Sequence, residues 1–305
     1  MRLSREQVLR ALTFWLRPDF LVRCLRRFQA LEGFDRAIAL ASLTFSALIP
    51  LGIVVSGALS DHSIGDHIVE RFGLEGNGAR AVNDLFDTGE DLASGFSAFS
   101  FFLLLVTILS FSRALQRLFE RTWELPPLSV RNTKNGLIWL TGLVVYAVVT
   151  GVVRANYNEG VLEILTAAVL GLVSVLFVLW SGVLLSDRRI TRHQLLPAAI
   201  LVAVVGGLLA IGGDIYVPRL FNSYAGRYGA VGAVFALISW LFVLMVGLVS
   251  AVAIGREVSE ELDAIRRGEK PSNEQIQAEW AQVRQQAHEA RQRVSDWRAA
   301  RKQKR

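Results

Sequence analysis

Histidines and acids are the residues here whose side chains serve metal binding and acid–base catalysis. The chain has four histidines. The one group that resembles a metal site is Asp61, His62, Asp66, His67 and Glu70. Its two histidines are five residues apart, which does not place both on one helix face as a spacing of four would. We therefore expect no metal site, and we interpret this segment as an acidic cap over the rest of the protein.

Enzyme motifs are absent from the remainder of the sequence. It contains no G-x-x-x-x-G-K-[ST], G-x-S-x-G, HExxH or CxxC pattern. Hydrolysis of a phosphodiester needs a metal cage or a paired general acid and base, and neither is present. The prediction is a protein that is not an enzyme, with no catalytic residue and no cofactor.

Several proline and glycine positions would allow helices to bend or to approach closely. Proline in a helix interior removes a backbone hydrogen bond, and small residues let helices pack tightly. Close packing is the simpler interpretation, and a hinge or substrate path is the sharper one. The candidate positions for the hinge or path are Ser46, Pro50, Gly52, Gly206, Gly207, Gly229 and Gly232.

Arginines near the N-terminus flank an apolar stripe with helical spacing. The stripe is formed by Phe20, Leu21, Leu25, Phe28 and Leu31. This pattern is typical of a helix that lies in the lipid headgroup region, and packing against the cytoplasmic ends of spans is an equal alternative. The candidate contacts to anionic lipid are Arg17, Arg23, Arg26 and Arg27.

The chain contains six stretches without Asp, Glu, Lys or Arg, and the helices that they form must position the candidate residues named above. They have 24, 21, 19, 23, 21 and 28 residues, and they run over 37–60, 92–112, 135–153, 164–186, 193–213 and 228–255. About 20 apolar residues in a helix cross a hydrocarbon core of about 30 Å. The sequence therefore predicts an all-α polytopic membrane protein with six transmembrane helices. Its spans carry no ionisable side chain except His193 at the start of the fifth, which argues against a proton-driven pump.

Basic residues set the predicted orientation. Of the 33 Lys and Arg residues, 28 fall in the terminal segments and alternate loops of one side and 5 on the other. The positive-inside rule then places both termini in the cytoplasm. We predict three regions, namely cytoplasmic or interfacial amphipathic helices in 1–36, a six-helix domain in 37–255 and a charged cytoplasmic tail in 256–305. The basic pI is assigned to these membrane-facing segments and not to nucleic-acid binding.

Three apolar motifs, in their order along the chain, carry a resemblance to a known family. They are ASLTFSALIPL at 41–51, SRALQRLF at 112–119, and YGAVG at 228–232 followed by WLF at 240–242. Over roughly residues 30–260 the chain resembles the YihY/BrkB family of bacterial inner-membrane proteins, once mislabelled as a ribonuclease. The family's glutamate near the end of the last span is missing, because Ser250, Ala251 and Val252 stand there and the first acid is Glu257. The family's asparagine after the second span is replaced by Gln116.

The resemblance implies a multi-pass protein of the bacterial plasma membrane with no settled activity, and roles in envelope integrity, lipid or polysaccharide handling and serum resistance. We predict a transporter or handler of lipid or envelope precursors. The alternative is a non-catalytic scaffold for envelope assembly that binds anionic lipid or partner proteins. The expected partners are membrane lipids with anionic headgroups on the cytoplasmic side, and a homo-oligomer stays open.

Overall fold

Apolar helices make up the described chain. The computed structural model describes residues 17–58, 69–70, 74, 76–86, 93–128, 133–156, 162–268, 280–281 and 285. In these ranges the elements are helical, which confirms the all-α class. The helices are α1 (Pro18–Ala30), α2 (Gly33–Ala58), α3 (Gly76–Phe86), α4 (Ala93–Thr122), α5 (Thr133–Asn156), α6 (Leu162–Leu185) and α7 (Arg192–Arg266).

Four of the described helices are long and apolar enough to cross a membrane, over Phe99–Thr122, Lys134–Val153, Leu165–Leu185 and Arg192–Arg266. The first three overlap the predicted second, third and fourth spans, and the last contains the predicted fifth and sixth. The predicted first span lies in α2, which has Pro50 inside it. The membrane-protein class is confirmed, and the number of crossings and their orientation stay predictions.

Helix α7 turns back on itself. Its 75 residues are interrupted at Gly229, where φ is 58° and ψ is −138°. A positive φ is readily adopted by glycine because it lacks a Cβ atom. Residues far apart in sequence meet across the resulting hairpin, with Gly213 beside Trp240 and Gly255 beside Ala198. The segments 192–228 and 230–266 therefore run antiparallel.

The first segment of the hairpin is longer than a bilayer is thick. At about 1.5 Å per residue, 192–228 measures about 55 Å, against about 30 Å for a hydrocarbon core. The sequence predicted a connecting segment at 214–227, but these residues continue the helix. The reason is a stripe of side chains at helical spacing, Val217, Phe221 and Ala225, that is buried along it. The tip of the hairpin therefore extends beyond the hydrocarbon on the predicted outer side.

Short helix α3 belongs to the apolar cluster around this tip. Leu74 and Val82 form a buried group with residues from both segments of the hairpin, Val217, Phe221, Ala225, Ala233, Ala236 and Trp240. The sequence predicted an amphipathic piece at 81–86, and these residues are the second half of α3. The outer segment thus contributes packing to the hairpin.

The larger core gathers one end of the long helices. It includes Ala37 and Leu40 of α2, Leu115, Leu118 and Phe119 of α4, Trp139 of α5, Leu185 of α6, and Leu195, Ala198, Val249 and Val252 of α7. By the predicted orientation this is the cytoplasmic end. Burial is therefore concentrated where the basic loops lie, and the middles of α5 and α6 keep large exposed apolar side chains, as expected of lipid-facing surface.

The chain separates into two compact units. One combines residues 1–27 with residues 260–305, and the other is residues 28–259. In α1, Phe20 and Cys24 are buried while Leu21, Val22 and Leu25 are exposed. The predicted apolar stripe thus divides between packing and exposure. The predicted N-terminal helix before Pro18 and the break at Pro271 lie outside the described residues.

We expect the hairpin tip to be accessible from outside the cell. Gly226 is exposed, and a Cβ atom added to it would have no neighbour within 4 Å. In a Cys24→Ser background, Gly226→Cys should react with a membrane-impermeant thiol reagent on intact cells. Arg192→Cys, at the opposite end of the same helix, should react only after permeabilisation. The reverse pattern would overturn the orientation.

Gly213, Gly247 and Gly255 lie where the two halves of the hairpin meet, and we call them the glycine seam. Their close contacts lead to a stability prediction. A Cβ atom on Gly255 would overlap the backbone of Ala198, whereas one on Gly206 would meet nothing within 4 Å. Gly255→Ala should destabilise the protein by about 1–3 kcal/mol, as overpacking does. Gly206→Ala should stabilise it by about 0.5–1 kcal/mol through helix propensity. Thermal unfolding of the two purified variants measures this, and equal midpoints would contradict the close approach.

Candidate functional site

Proline 50 and the residues one turn before it lie on different sides of α2. Pro50 is buried and Ala47 is half-buried, but Ser46 is exposed. Ser46, a candidate for the hinge or path, therefore lies on the exposed side of α2. Ser46 continues an exposed stripe at four-residue spacing that begins at Phe34 and Ile38. Residues four apart lie on the same face of a helix, so Ser46 shares the exposed face of these two residues. Gly52 lies in the helix beyond Pro50.

The four candidate glycines of α7 fall into three environments. Gly206 and Gly207 are exposed with open space around them. Gly229 forms the turn of the hairpin. Gly232 is buried, and a Cβ atom there would overlap the backbone carbonyl of Tyr224. Only Gly232 therefore serves close packing, and Gly229 serves chain reversal. A hinge at these positions stays a prediction.

Three of the four candidate lipid-binding arginines are held in ion pairs. Within the unit formed by the two chain ends, Arg17 donates to Glu261 Oε2 at 2.5 Å and Arg23 donates to the same oxygen at 2.6 Å. Arg27 donates to both carboxylate oxygens of Glu260, at 2.9 and 3.0 Å. The side chains of Arg17 and Glu261 are only 4% and 5% exposed.

Burial explains this pairing and limits the lipid prediction. A charge removed from water is tolerated when an opposite charge and hydrogen bonds compensate it, and two guanidinium groups do so for Glu261. Arg17 is buried on Glu261, and its contact with lipid stays a prediction. Arg26 is exposed, and its contact with lipid stays a prediction.

A second buried ion pair lies at the end of α4 in the other unit. Glu120 is 3% exposed, and its Oε1 accepts hydrogen bonds from Gln116 Nε2 at 2.9 Å, the Leu128 amide at 3.0 Å and Arg189 at 2.8 Å. Arg189 also donates to the carbonyl oxygens of Ser186 and Pro126, at 2.9 and 2.6 Å. The pair therefore joins α4, the loop after it and the turn after α6.

Gln116, which stands where the family has asparagine, belongs to this cluster through its bond to Glu120. The cluster was not predicted from the sequence. Gln116 precedes Glu120 by four residues, so both lie on one helix face. That spacing was a usable signal, but Arg189 is 69 positions away and nothing local points to it. The displaced acid Glu257 is also buried, at 4% exposure. By the predicted orientation, both acids lie near the cytoplasmic helix ends.

Hydroxyl groups within the spans are satisfied locally. Each of several Ser and Thr side chains donates to a carbonyl four residues earlier, as expected from the sequence: Thr44, Thr107, Ser110, Thr141 and Thr150. Between helices, Trp139 Nε1 donates to Ser181 at 2.9 Å, and the Tyr146 and Ser174 hydroxyls are 2.9 Å apart. These bonds fasten α5 to α6.

Arg256 lies above the ring of Trp123. Its guanidinium carbon is 5.7 Å from the ring centroid, a cation–π distance. Within the described ranges no three His, Cys, Asp or Glu residues are grouped closely enough to hold a metal. The candidate metal residues of the 61–70 segment, apart from Glu70, lie outside those ranges. The charged clusters as described are arranged to hold helix ends together.

Removing the Glu120 carboxylate should destabilise the protein strongly. Breaking one partner of a buried ion pair costs about 3–5 kcal/mol. Because Arg189 keeps 25% side-chain exposure, we expect Glu120→Ala to fall at the lower end of that range. Glu120→Gln should lose less, since its amide oxygen still accepts. Thermal unfolding measures the effect, and Asp35→Ala, at an exposed position, is the control. A Glu120→Ala variant as stable as the control would contradict the role of the pair.

Comparisons with known proteins agree with the membrane-protein class. The chain is 27% identical over 256 residues to a UPF0761 membrane protein of Stenotrophomonas maltophilia, with 76% of this chain and 58% of the relative covered. It is 24% identical over 262 residues to one of Xanthomonas campestris, with 79% and 60% covered. It thus spans less than two thirds of the length of these relatives. No solved structure matches. The model of the virulence factor BrkB family matches residues 24–276, and the chain therefore belongs to the BrkB family of integral membrane proteins.

Proposed function

We propose that this protein handles lipid or a lipid-linked envelope precursor in the bacterial plasma membrane, without enzymatic activity or a cofactor. The observation that carries the proposal is the hairpin of α7. It is long enough to cross the hydrocarbon and extend beyond it, and its halves meet at glycines.

The outer surface of the hairpin carries exposed apolar side chains along its length, and toward the tip these lie among the exposed charged residues Asp214, Arg219 and Arg227. On the first segment, Val204, Leu208, Ile211 and Ile215 share one face and are 52–66% exposed. Near the tip, the exposed side chains include Tyr224, Tyr228, Val231 and Phe235. An apolar surface that continues past the hydrocarbon is costly in water, so it is expected to contact acyl chains or another apolar molecule.

The absence of charge within the predicted spans limits the mechanism. Charged residues at the midplane are the usual mark of ion-coupled pumps, and the six predicted spans contain no Asp, Glu, Lys or Arg. The proposal is therefore movement of a lipid along the apolar hairpin surface, with the glycine seam allowing the halves to separate.

A scaffold is the second candidate, and the tightness of the seam favours it. A Cβ atom on Gly247 would lie 2.7 Å from Leu209 Cδ1, and one on Gly213 would lie 2.7 Å from Trp240. Close contacts of this kind are expected of a static bundle. In this role the hairpin tip would bind an envelope-assembly partner and no lipid would move.

A reversible lock of the hairpin distinguishes these functions. Gly247 lies against Val205, with 3.1 Å between an added Cβ atom and Val205 Cγ1. Val205→Cys with Gly247→Cys, in a Cys24→Ser background, should form a disulfide under mild oxidation. In liposomes with fluorescent phosphatidylglycerol, the unlocked protein should move lipid between leaflets, the oxidised form should not, and reduction should restore movement.

Each single cysteine variant, oxidised in the same way, is the matched control and should move lipid normally. Folded protein that moves no more lipid than empty liposomes would overturn transport and leave the scaffold. Equal movement by the locked and unlocked forms would show that lipid movement does not require the hairpin to open.

A further inference from the structure

Three arginines form a ladder at the end of α4. Arg113, Arg117 and Arg121 are spaced by four residues, so they lie on one helix face, and all three are exposed. Arg36, at the start of α2, lies close to this ladder, since Arg36 and Arg121 both approach Glu32. Burial and the nearby charges of Arg121 and Arg117 lower the pKa of Arg36, and Glu32 opposes them. We call Arg36, Arg117 and Arg121 the basic edge.

The acid beside the basic edge does not neutralise it. Glu32 Oε2 lies 3.7 Å from Arg121 and 3.9 Å from Arg36, whereas charge-assisted bonds are usually about 2.7–2.9 Å. Glu32 and Arg121 are 62% and 60% exposed, so water and salt screen the pair. Among the residues that the structure describes, Arg117 forms no ion pair. An excess of positive charge therefore remains on one surface.

The same face of α4 is apolar on the membrane side of the ladder. Phe99 and Val106 are 57% and 44% exposed, and their spacing from Arg113 and Arg117 places them in line with the ladder. On neighbouring α2, Phe34 and Ile38 are 59% and 52% exposed. A stripe of exposed apolar side chains thus ends in a group of guanidinium groups.

We propose that the basic edge binds the phosphate of an anionic phospholipid in the cytoplasmic leaflet, with the acyl chains running along α4 toward Val106. Guanidinium groups match phosphate oxygens in a bidentate geometry. The continuous apolar face favours a lipid over a soluble phosphate, since it provides contact for the chains. This site differs from the N-terminal arginines, three of which are held by Glu260 and Glu261.

The inference rests on the proposed contact with lipid but not on transport. Binding at the basic edge is a property of a resting surface, whereas transport needs the hairpin to open. A binding measurement and the leaflet-exchange measurement can therefore fail separately.

Native mass spectrometry of the full chain, titrated with phosphatidylglycerol or phosphatidylcholine, tests the site. The wild type should bind phosphatidylglycerol more tightly. Arg117→Gln with Arg121→Gln should weaken that binding about tenfold, because each basic residue near a membrane surface attracts anionic lipid substantially. Binding of phosphatidylcholine should stay unchanged.

Lys134→Gln with Arg192→Gln is the matched control. Both residues are exposed, both lie on the predicted cytoplasmic side, and the pair removes the same charge. The control should keep the preference for phosphatidylglycerol. Equal loss in both variants would show a general effect of net charge, and no loss in the ladder variant would also overturn the site. Displacement by equimolar free glycerol phosphate would overturn the lipid as its ligand. Thermal unfolding confirms that each variant is folded.

Discussion

The hydrocarbon of a bilayer offers no hydrogen bond to a backbone amide or to a charged side chain. Each segment within it must satisfy its own backbone, which a helix does, and each charge must lie outside it or be paired. In this protein several buried carboxylates near helix ends obey the second condition. Glu120 with Arg189 and Glu261 with Arg17 are the clearest cases. Their burial is tolerated because Glu120 accepts from Gln116, the Leu128 amide and Arg189, and Glu261 accepts from two arginines.

Glycine has two opposite uses in the hairpin of α7. At Gly229 it permits a left-handed backbone that reverses the chain. At Gly213, Gly247 and Gly255 it removes the side chain so that the returning helix can approach. Without a hydrophobic force between helices in lipid, such close approach provides the dispersion contacts that hold them together. The same contacts are what separation of the two halves would have to break.

Charge on the predicted cytoplasmic face is divided between buried ion pairs and exposed surface. The arginines near the N-terminus mostly neutralise acids near the C-terminus, whereas Arg117 and Arg121 at the end of α4 stay exposed. In the sequence the two sets look alike, since both are arginines next to apolar stripes. The difference lies in which acids the fold brings near them, and this is why lipid recognition is better sought at Arg117 and Arg121 than at Arg17.

The sequence alone determined that the protein is helical and enters a membrane, because uncharged stretches of 19 residues or more have no other stable environment. It also identified the family, through apolar motifs in a fixed order. It did not reveal that 214–227 is helical. The apolar stripe Val217, Phe221 and Ala225 stabilises this helix only when the returning half of the hairpin and α3 bury it. Nor did it show that Ser46 lies on the exposed face of α2, because the helices that pack against α2 decide which of its faces is buried. Only the tertiary structure decided which charges are paired, because ion pairs such as Glu120 with Arg189 join residues that are distant in sequence and unrelated in local pattern.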